Sequence, residues 1–159
     1  MDAATFQTEV MKNERLLYRI SWNMLGTNED CADAVQETLL KAWANRETLR
    51  DVQAFRPWLT RILANTCKSM LRKRKMIRFV PMEEAPEAFE PDLTSPPPFR
   101  EAMSTLSPDQ RTVAMLFYLE GYPIREISDM LDLPSGTVKS RLMYARKHLQ
   151  TVLAEEWED

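Results

Sequence analysis

Glycine is scarce in this 159-residue chain, which has only Gly26, Gly121 and Gly136. So few glycines argue against a turn-rich all-β fold and leave no glycine-rich loop to cradle a phosphate. Histidine is scarcer still, with His148 alone, and the two cysteines, Cys31 and Cys67, fit no zinc or redox spacing. With no metal-ligand cluster and no nucleophile–base arrangement, no catalytic residue, metal site or cofactor site is expected. Both cysteines are expected to be small buried hydrophobes. Long apolar runs are missing as well. None approaches the roughly 20 residues that cross a bilayer. The opening MDAATFQTEVMKNE has neither a basic start nor an apolar signal core. The expected location is the cytoplasm, without membrane insertion.

What is present is charge, unevenly placed. Residues 1–51 carry 6 basic and 9 acidic side chains, and residues 100–159 carry 7 and 10. Residues 52–78 carry 8 basic side chains (Arg56, Arg61, Lys68, Arg72, Lys73, Arg74, Lys75, Arg78) and no acidic one, whereas residues 79–99 carry 5 acidic and no basic ones. The overall charge of −3 therefore conceals one strongly basic segment.

Apolar residues recur at helical spacing throughout, so the fold class is all-α. A first helix is expected from about Thr5 to Met24, with Phe6, Val10, Leu17 and Ile20 near one face and Gly26-Thr27-Asn28 as stop and cap. A second, about Glu29 to Ala44, sets Ala32, Val35, Leu39 and Trp43 on an apolar side. Asp33, Gln36, Glu37 and Leu40 line another side. Residues 45–54 read as a loop. A third helix follows to about Lys75, with Pro57 tolerable in its first turn. Residues 79–99 hold six prolines and charge of one sign, the composition of a flexible linker. Fully extended they span on the order of 70 Å. The expectation is two independent helical units, loosely tethered and not packed as one body: 1–78 and 100–159, with 79–99 between them.

In the second unit, Ser107-Pro108-Asp109-Gln110 caps a short apolar helix, and Gly121-Tyr122-Pro123 breaks the chain. Ile124–Leu131, a short turn and a helix capped by Ser135 then form a helix-turn-helix. Ile127 and Leu131 meet Val138 and Leu142 in it, and Ser128 sits at the crossing. The last helix presents Lys139, Ser140, Arg141, Met143, Tyr144, Arg146 and Lys147. No acidic residue lies between Leu133 and Ala154. That is the electrostatic footprint of a helix laid in a DNA major groove, although a helical hairpin with a solvated basic face has the same look. The third helix combines Trp58 with Arg61, Asn65, Lys68 and Arg72 on one side. Cations of this kind follow phosphates, and aromatic or amide groups engage unstacked bases. Phe55 and Leu59 read as core, and Trp58 as either packing or contact. The Asp33, Gln36, Glu37, Leu40 stripe suits a basic partner helix with the leucine as anchor, or else is a plain solvated face.

The string LSPDQRTVAMLFYLEGYPIREISDMLDLPSGTVKSRLMYARKHL closely resembles the fourth domain of the sigma-70 family of bacterial RNA polymerase sigma factors, above all in GTVKSRL. Pro123 and Asp132 depart from it, standing where a serine or threonine cap and a glycine are usual. DCADAVQETLLKAW and AFRPWLTRILANTCKSMLRKRK resemble sigma domain 2. Together they point to the small, two-domain extracytoplasmic-function (ECF) type. The resemblance implies a transcription initiation factor with no enzymatic activity of its own. Its partners would be core RNA polymerase (β′ clamp and β flap), promoter DNA and an anti-sigma factor. It implies that Asp33, Gln36, Glu37 and Leu40 dock on the β′ clamp. Trp58, Arg61, Asn65, Lys68 and Arg72 would hold the melted −10 strand. Thr137, Lys139, Ser140, Arg141, Met143, Tyr144, Arg146 and Lys147 would serve the −35 element. The linker would thread toward the RNA exit channel.

Two rival readings remain. A repressor or activator would need a dimer seam or ligand pocket in the N-terminal half, where the sequence instead has a second basic patch with aromatics. An enzyme would have to use His148, which sits among the basic residues of the last helix and is expected to face phosphate or solvent.

Overall fold

The computed structural model describes residues 1–77 and 97–157. Seven α-helices form its frame: α1 (Ala3–Leu25), α2 (Asn28–Ala44), α3 (Phe55–Ile77), α4 (Pro97–Ser104), α5 (Pro108–Ala114), α6 (Ile124–Leu131) and α7 (Ser135–Trp157). Among the described residues there is no strand, and no helix is long and apolar enough to cross a membrane.

Local chemistry sets the helix ends. Asp2 accepts from the Thr5 amide and Thr27 from the Asp30 amide, each satisfying a first-turn N–H. Gly26 closes α1 in the left-handed region at φ 80°, a backbone that a Cβ would strain. Ser107 caps α5, with Pro108 at the first helical position, where its missing N–H costs nothing. Two 3₁₀ turns, Arg46–Thr48 and Val52–Ala54, interrupt the expected loop before α3. The last helix begins at Ser135 itself, and the Pro134 carbonyl accepts from Thr137 and Val138. Helix α4 starts at Pro97, inside the stretch read as linker, and residues 79–96 of that stretch lie outside the described residues.

Helices α1–α3 bury Leu17, Ile20, Leu25, Phe55, Leu59 and Leu63, and α4–α7 bury Met103, Val113, Leu116, Ile127, Val138 and Leu142. The apolar side of α2 matches the expected one at Val35 and Leu39 and departs from it elsewhere. Cys31, Ala34, Val35, Thr38 and Ala42 are buried, while Ala32 is exposed and Trp43 is 39 % exposed. Small residues line this seam because α2 lies close against α1 and α3. The larger apolar residues that drew attention in the sequence stand at its edge. After α5 the chain widens into a π-helical turn, Met115–Leu119, which leaves Tyr118 and Leu119 on the surface and buries Met115 and Leu116.

The two helical units are present, but the expectation that they do not pack as one body is corrected, because buried residues of both form one apolar cluster. Cationic donors cross the seam between them. Arg111, buried on α5, donates to the Asn23 carbonyl at the end of α1 (3.0 Å). From α3, Arg61 and Lys68 donate to the Asp129 and Leu131 carbonyls at the end of α6 (3.0 and 2.9 Å). Arg19 pairs with Glu120, and the Arg56 guanidinium lies 5.6 Å from the centre of the Tyr122 ring. A hydrogen bond from a charged group is worth about 1.5–3 kcal/mol when sheltered, so Arg111 contributes far more than the half-exposed Arg61. Proline content and one-signed charge described the tether, and carried no information about these contacts.

Phe55 is 1 % exposed and meets Phe6 edge-on at 5.9 Å, joining α1 to α3. Phe55→Ala should lower stability by about 3–5 kcal/mol through lost burial and a residual cavity, read as an earlier urea midpoint.

Candidate nucleic-acid interface

Burial of Phe55, Leu59, Leu63, Ala64 and Cys67 against α1 and α2 fixes the rotation of α3 and so decides which residues it presents. Rings in edge and tilted contact run from Trp43 to Phe6 (5.1 Å), Phe55 and finally Trp58 (5.6 Å from Phe55), half-buried at the surface. Trp58 is therefore both packed and presented. Together with Lys41, Asn45, Ile62 and Asn65 it lines a cleft of about 360 Å³, near the small end for organic ligands. A ring, two amides and a cation in an open cleft are the groups that grip an unstacked base and its phosphate. Lys41 is held by Glu37 (3.0 Å) and Thr66 (3.2 Å), which keeps its ammonium at the rim. Lys41 and Asn45 were missed in the sequence because they come from α2 and meet α3 only in space. Their i, i+4 spacing was the one available hint.

The other cations of α3 lead away from the cleft. Arg61 points to the end of α6, where its side chain also lies 3.8 Å from the Asp129 carboxylate and 4.0 Å from that of Asp132. Lys68 is half-buried against the Leu131 carbonyl. Burial lowers its pKa first, Asp132 opposes this, and Arg141 adds to the lowering. Arg72 is exposed and bonds the nearby Ser69 hydroxyl (3.1 Å). The five residues thus share one broad arc of α3, with Trp58 and Asn65 at the cleft and Arg61 and Lys68 against α6.

On α2, Asp33, Gln36, Glu37 and Leu40 are all exposed, and Leu40 stands 66 % bare. An isolated leucine this exposed, flanked by carboxylates, suits an apolar anchor with an acidic rim.

The helix-turn-helix has the expected core, with Ile127, Leu131, Val138 and Leu142 buried. Ser128 donates its hydroxyl to the Leu133 carbonyl and closes the turn. On α7, Lys139, Ser140, Met143, Tyr144, Arg146 and Lys147 are exposed and Thr137 is half-buried. Ser140 bonds the Gly136 carbonyl (3.0 Å), Arg146 bonds the Tyr118 hydroxyl (3.0 Å), and Arg141 turns inward toward Asp109 (3.8 Å). His148 is half-buried, and its ring bonds within the chain. Its Nε2 lies 2.6 Å from the Thr105 hydroxyl, because its position on α7 points back toward the end of α4.

Comparison with known proteins places this geometry. The Sigma-70 region 2 model matches residues 10–76, and the Sigma-70, region 4 model matches residues 98–149. The ECF RNA polymerase sigma factor SigL of Mycobacterium tuberculosis is 30% identical over 162 residues, covering 97% of this chain and 92% of its own. The chain belongs to the ECF group of the sigma-70 family. Another relative, the RNA polymerase sigma factor SigV of Bacillus subtilis, is 28% identical, with 96% of this chain and 93% of that one covered. Among solved structures, the sigma factor RpoE in complex with the anti-sigma factor NepR from Bartonella quintana superposes with a TM-score of 0.76. It is 27% identical and covers 94% of this chain and 96% of that one. CnrH in complex with the cytosolic domain of CnrY shares the fold, with a TM-score of 0.64 at 22% identity over 94% of this chain and 88% of that one.

For a sigma factor, the exposed α2 stripe makes a direct expectation. Leu40→Ala combined with Glu37→Lys should cut co-purification with core polymerase by about tenfold or more, the scale of a lost apolar anchor. Helical content should be unchanged, because neither residue packs in the α2 seam. Undiminished co-purification would mean that the polymerase binds elsewhere.

Proposed function

We propose that this chain is a promoter-specificity subunit of bacterial RNA polymerase, acting in the cytoplasm and leaving all chemistry to the polymerase. The first unit, 1–78, docks on the β′ clamp through Asp33, Gln36, Glu37 and Leu40. The second, 100–159, reads the −35 element and meets the β flap, and residues 79–99 connect them. Lys139, Ser140, Met143 and Tyr144 approach base edges, with Thr137 beside them, while Arg141, Arg146 and Lys147 position the helix on phosphates. The likeness to the RpoE of the NepR complex supports an anti-sigma factor as a further partner.

The observation that carries this reading is the α3 cleft. A repressor that reads closed duplex has no use for Trp58 beside Asn65, with Lys41 at the rim. A factor that opens DNA does, since base–aromatic stacking supplies about 1–3 kcal/mol per base. The order of events follows from the chemistry. The α2 stripe brings the chain to the polymerase, and α7 sets the register on duplex DNA. Trp58 and Asn65 then capture a base that has left the stack, while Arg61, Lys68 and Arg72 follow its backbone.

In reconstituted holoenzyme, Asn65→Ala and Arg61→Ala should leave core binding intact and reduce promoter opening, read as permanganate reactivity of unpaired thymines. A template with a pre-melted bubble should restore most of the transcription. Variants that open promoters as well as the parent would remove α3 from the melting step.

A further inference from the structure

Two arginines of α7 are held in different ways. Arg141 turns toward the Asp109 carboxylate at 3.8 Å, which offsets its charge. Arg146 instead gives its Nε–H to the Tyr118 hydroxyl (3.0 Å). A phenol is a neutral acceptor, so the Arg146 guanidinium keeps its full charge while its plane is fixed. Arg146 and Tyr118 are both exposed, Tyr118 by 40 %.

Tyr118 owes its place to a break in helical geometry. In the turn Met115–Leu119 the Glu120 amide reaches back to the Met115 carbonyl (3.0 Å), and the Tyr122 amide to the Leu116 carbonyl (3.0 Å). Gly121 follows in the left-handed region at φ 76°, which suits glycine. Single widened turns of this kind are rare, and they occur frequently at functional sites. Here the turn keeps Met115 and Leu116 in the core and brings Tyr118 out, its ring edge-on to Phe117 at 5.0 Å.

We propose that Tyr118 is a phosphate-binding and positioning residue of the −35 interface, forming with Arg146 a two-point clamp on one backbone phosphate. The proposal rests on the reading of α7 as the −35 helix. A phenol oxygen has two acceptor sites and one proton. Arg146 uses one acceptor site and leaves the proton to be donated, and a hydrogen bond received from a cation strengthens that donor. With Nε occupied, the terminal N–H groups of Arg146 are the ones presented to a phosphate oxygen. The Tyr118 hydroxyl meets a second oxygen of the same group. Such a clamp carries no base information and fixes the register of α7, on which Lys139, Ser140, Met143 and Tyr144 depend. It also ties the segment before the helix-turn-helix to the DNA backbone, so that two elements set the angle of α7 in the groove.

The test uses holoenzyme reconstituted with the full chain, on promoter fragments in which single −35 phosphates are replaced by neutral methylphosphonates. One phosphate should prove sensitive in the parent, less so in Tyr118→Phe and insensitive in Arg146→Ala. Phenylalanine keeps the ring against Phe117, so the fold is retained, and an unchanged urea midpoint checks this. Tyr118→Phe should weaken closed-complex binding by about three- to tenfold, the net scale of one hydrogen bond. The ranking of −35 base substitutions should not change. Tyr118→Phe/Arg146→Ala should lose less than the two single losses combined, because the side chains act as a unit, whereas Tyr118→Phe and Lys147→Ala should add. Parent-like binding by Tyr118→Phe, full additivity with Arg146→Ala, or undiminished sensitivity at the Arg146 phosphate would overturn the clamp. If Arg146→Ala loses affinity and Tyr118→Phe does not, only the clamp fails. If Arg146→Ala and Lys147→Ala are both silent, α7 does not lie on the backbone, and the clamp falls with that reading.

Discussion

Long cationic side chains placed on the carbonyl ends of neighbouring helices hold this protein in its observed shape. Arg74 of α3 and Arg111 of α5 donate to the Leu25 and Asn23 carbonyls at the end of α1, and Arg74 also pairs with Asp30 of α2. Arg61 and Lys68 do the same at the end of α6. Apolar packing is non-directional and brings the helices together, but it fixes neither their ends nor their relative slide. The last carbonyls of a helix are unsatisfied by geometry and partly negative. A guanidinium or ammonium that reaches them fixes position as well as adding energy. Across the seam between the two units, Arg111 does this from a buried position and Arg61 and Lys68 from more exposed ones.

Helix α3 carries the consequence. One side, from Phe55 to Cys67, is core to the first unit. A second edge, Trp58 with Asn65, opens on the cleft shared with α2. A third, Arg61 with Lys68, is taken by α6. These surfaces differ in permanence. Burial of Leu59 and Leu63 at 0 % exposure is a commitment of the fold, whereas an Arg61 side chain that is 47 % exposed is weakly held and easily exchanged. The same helix can thus be rigid where it packs and exchangeable where it acts.

The sequence disclosed much of this and missed a definite part. Helix boundaries were legible because caps and breakers are local: Gly26, Thr27, Ser107-Pro108 and the prolines each act within a turn. The helix-turn-helix was legible because Ile127, Leu131, Val138 and Leu142 lie close in the chain. The buried side of α2 was read only in part: Val35 is buried and Leu39 packs against the core, but the seam also takes Cys31, Ala34, Thr38 and Ala42, which hydrophobic periodicity ranks low. The packing of the two units was misread for a different reason. Arg111 to Asn23 spans 88 positions, and Arg61 to Asp129 spans 68. In the sequence, Arg61 and Lys68 were read as cations that follow a DNA strand, not as donors to another helix of the chain. What they touch depends on the end of a helix more than sixty positions away, and no spacing rule reports that.

The central claim is that the two units are joined through α3 and α6 in the free protein and separate when the protein works. An inter-label distance tests it most directly. Spin labels placed through Glu14→Cys on α1 and Gln150→Cys on α7 report it by pulsed dipolar spectroscopy. The native thiols should not interfere, because Cys31 and Cys67 are both buried and desolvation pushes the Cys67 thiol up to about 12. The account predicts one short, narrow distance distribution in the free protein, replaced by a longer one when core polymerase is added. A broad distribution in the free protein, or the same short distance in the holoenzyme, would contradict it.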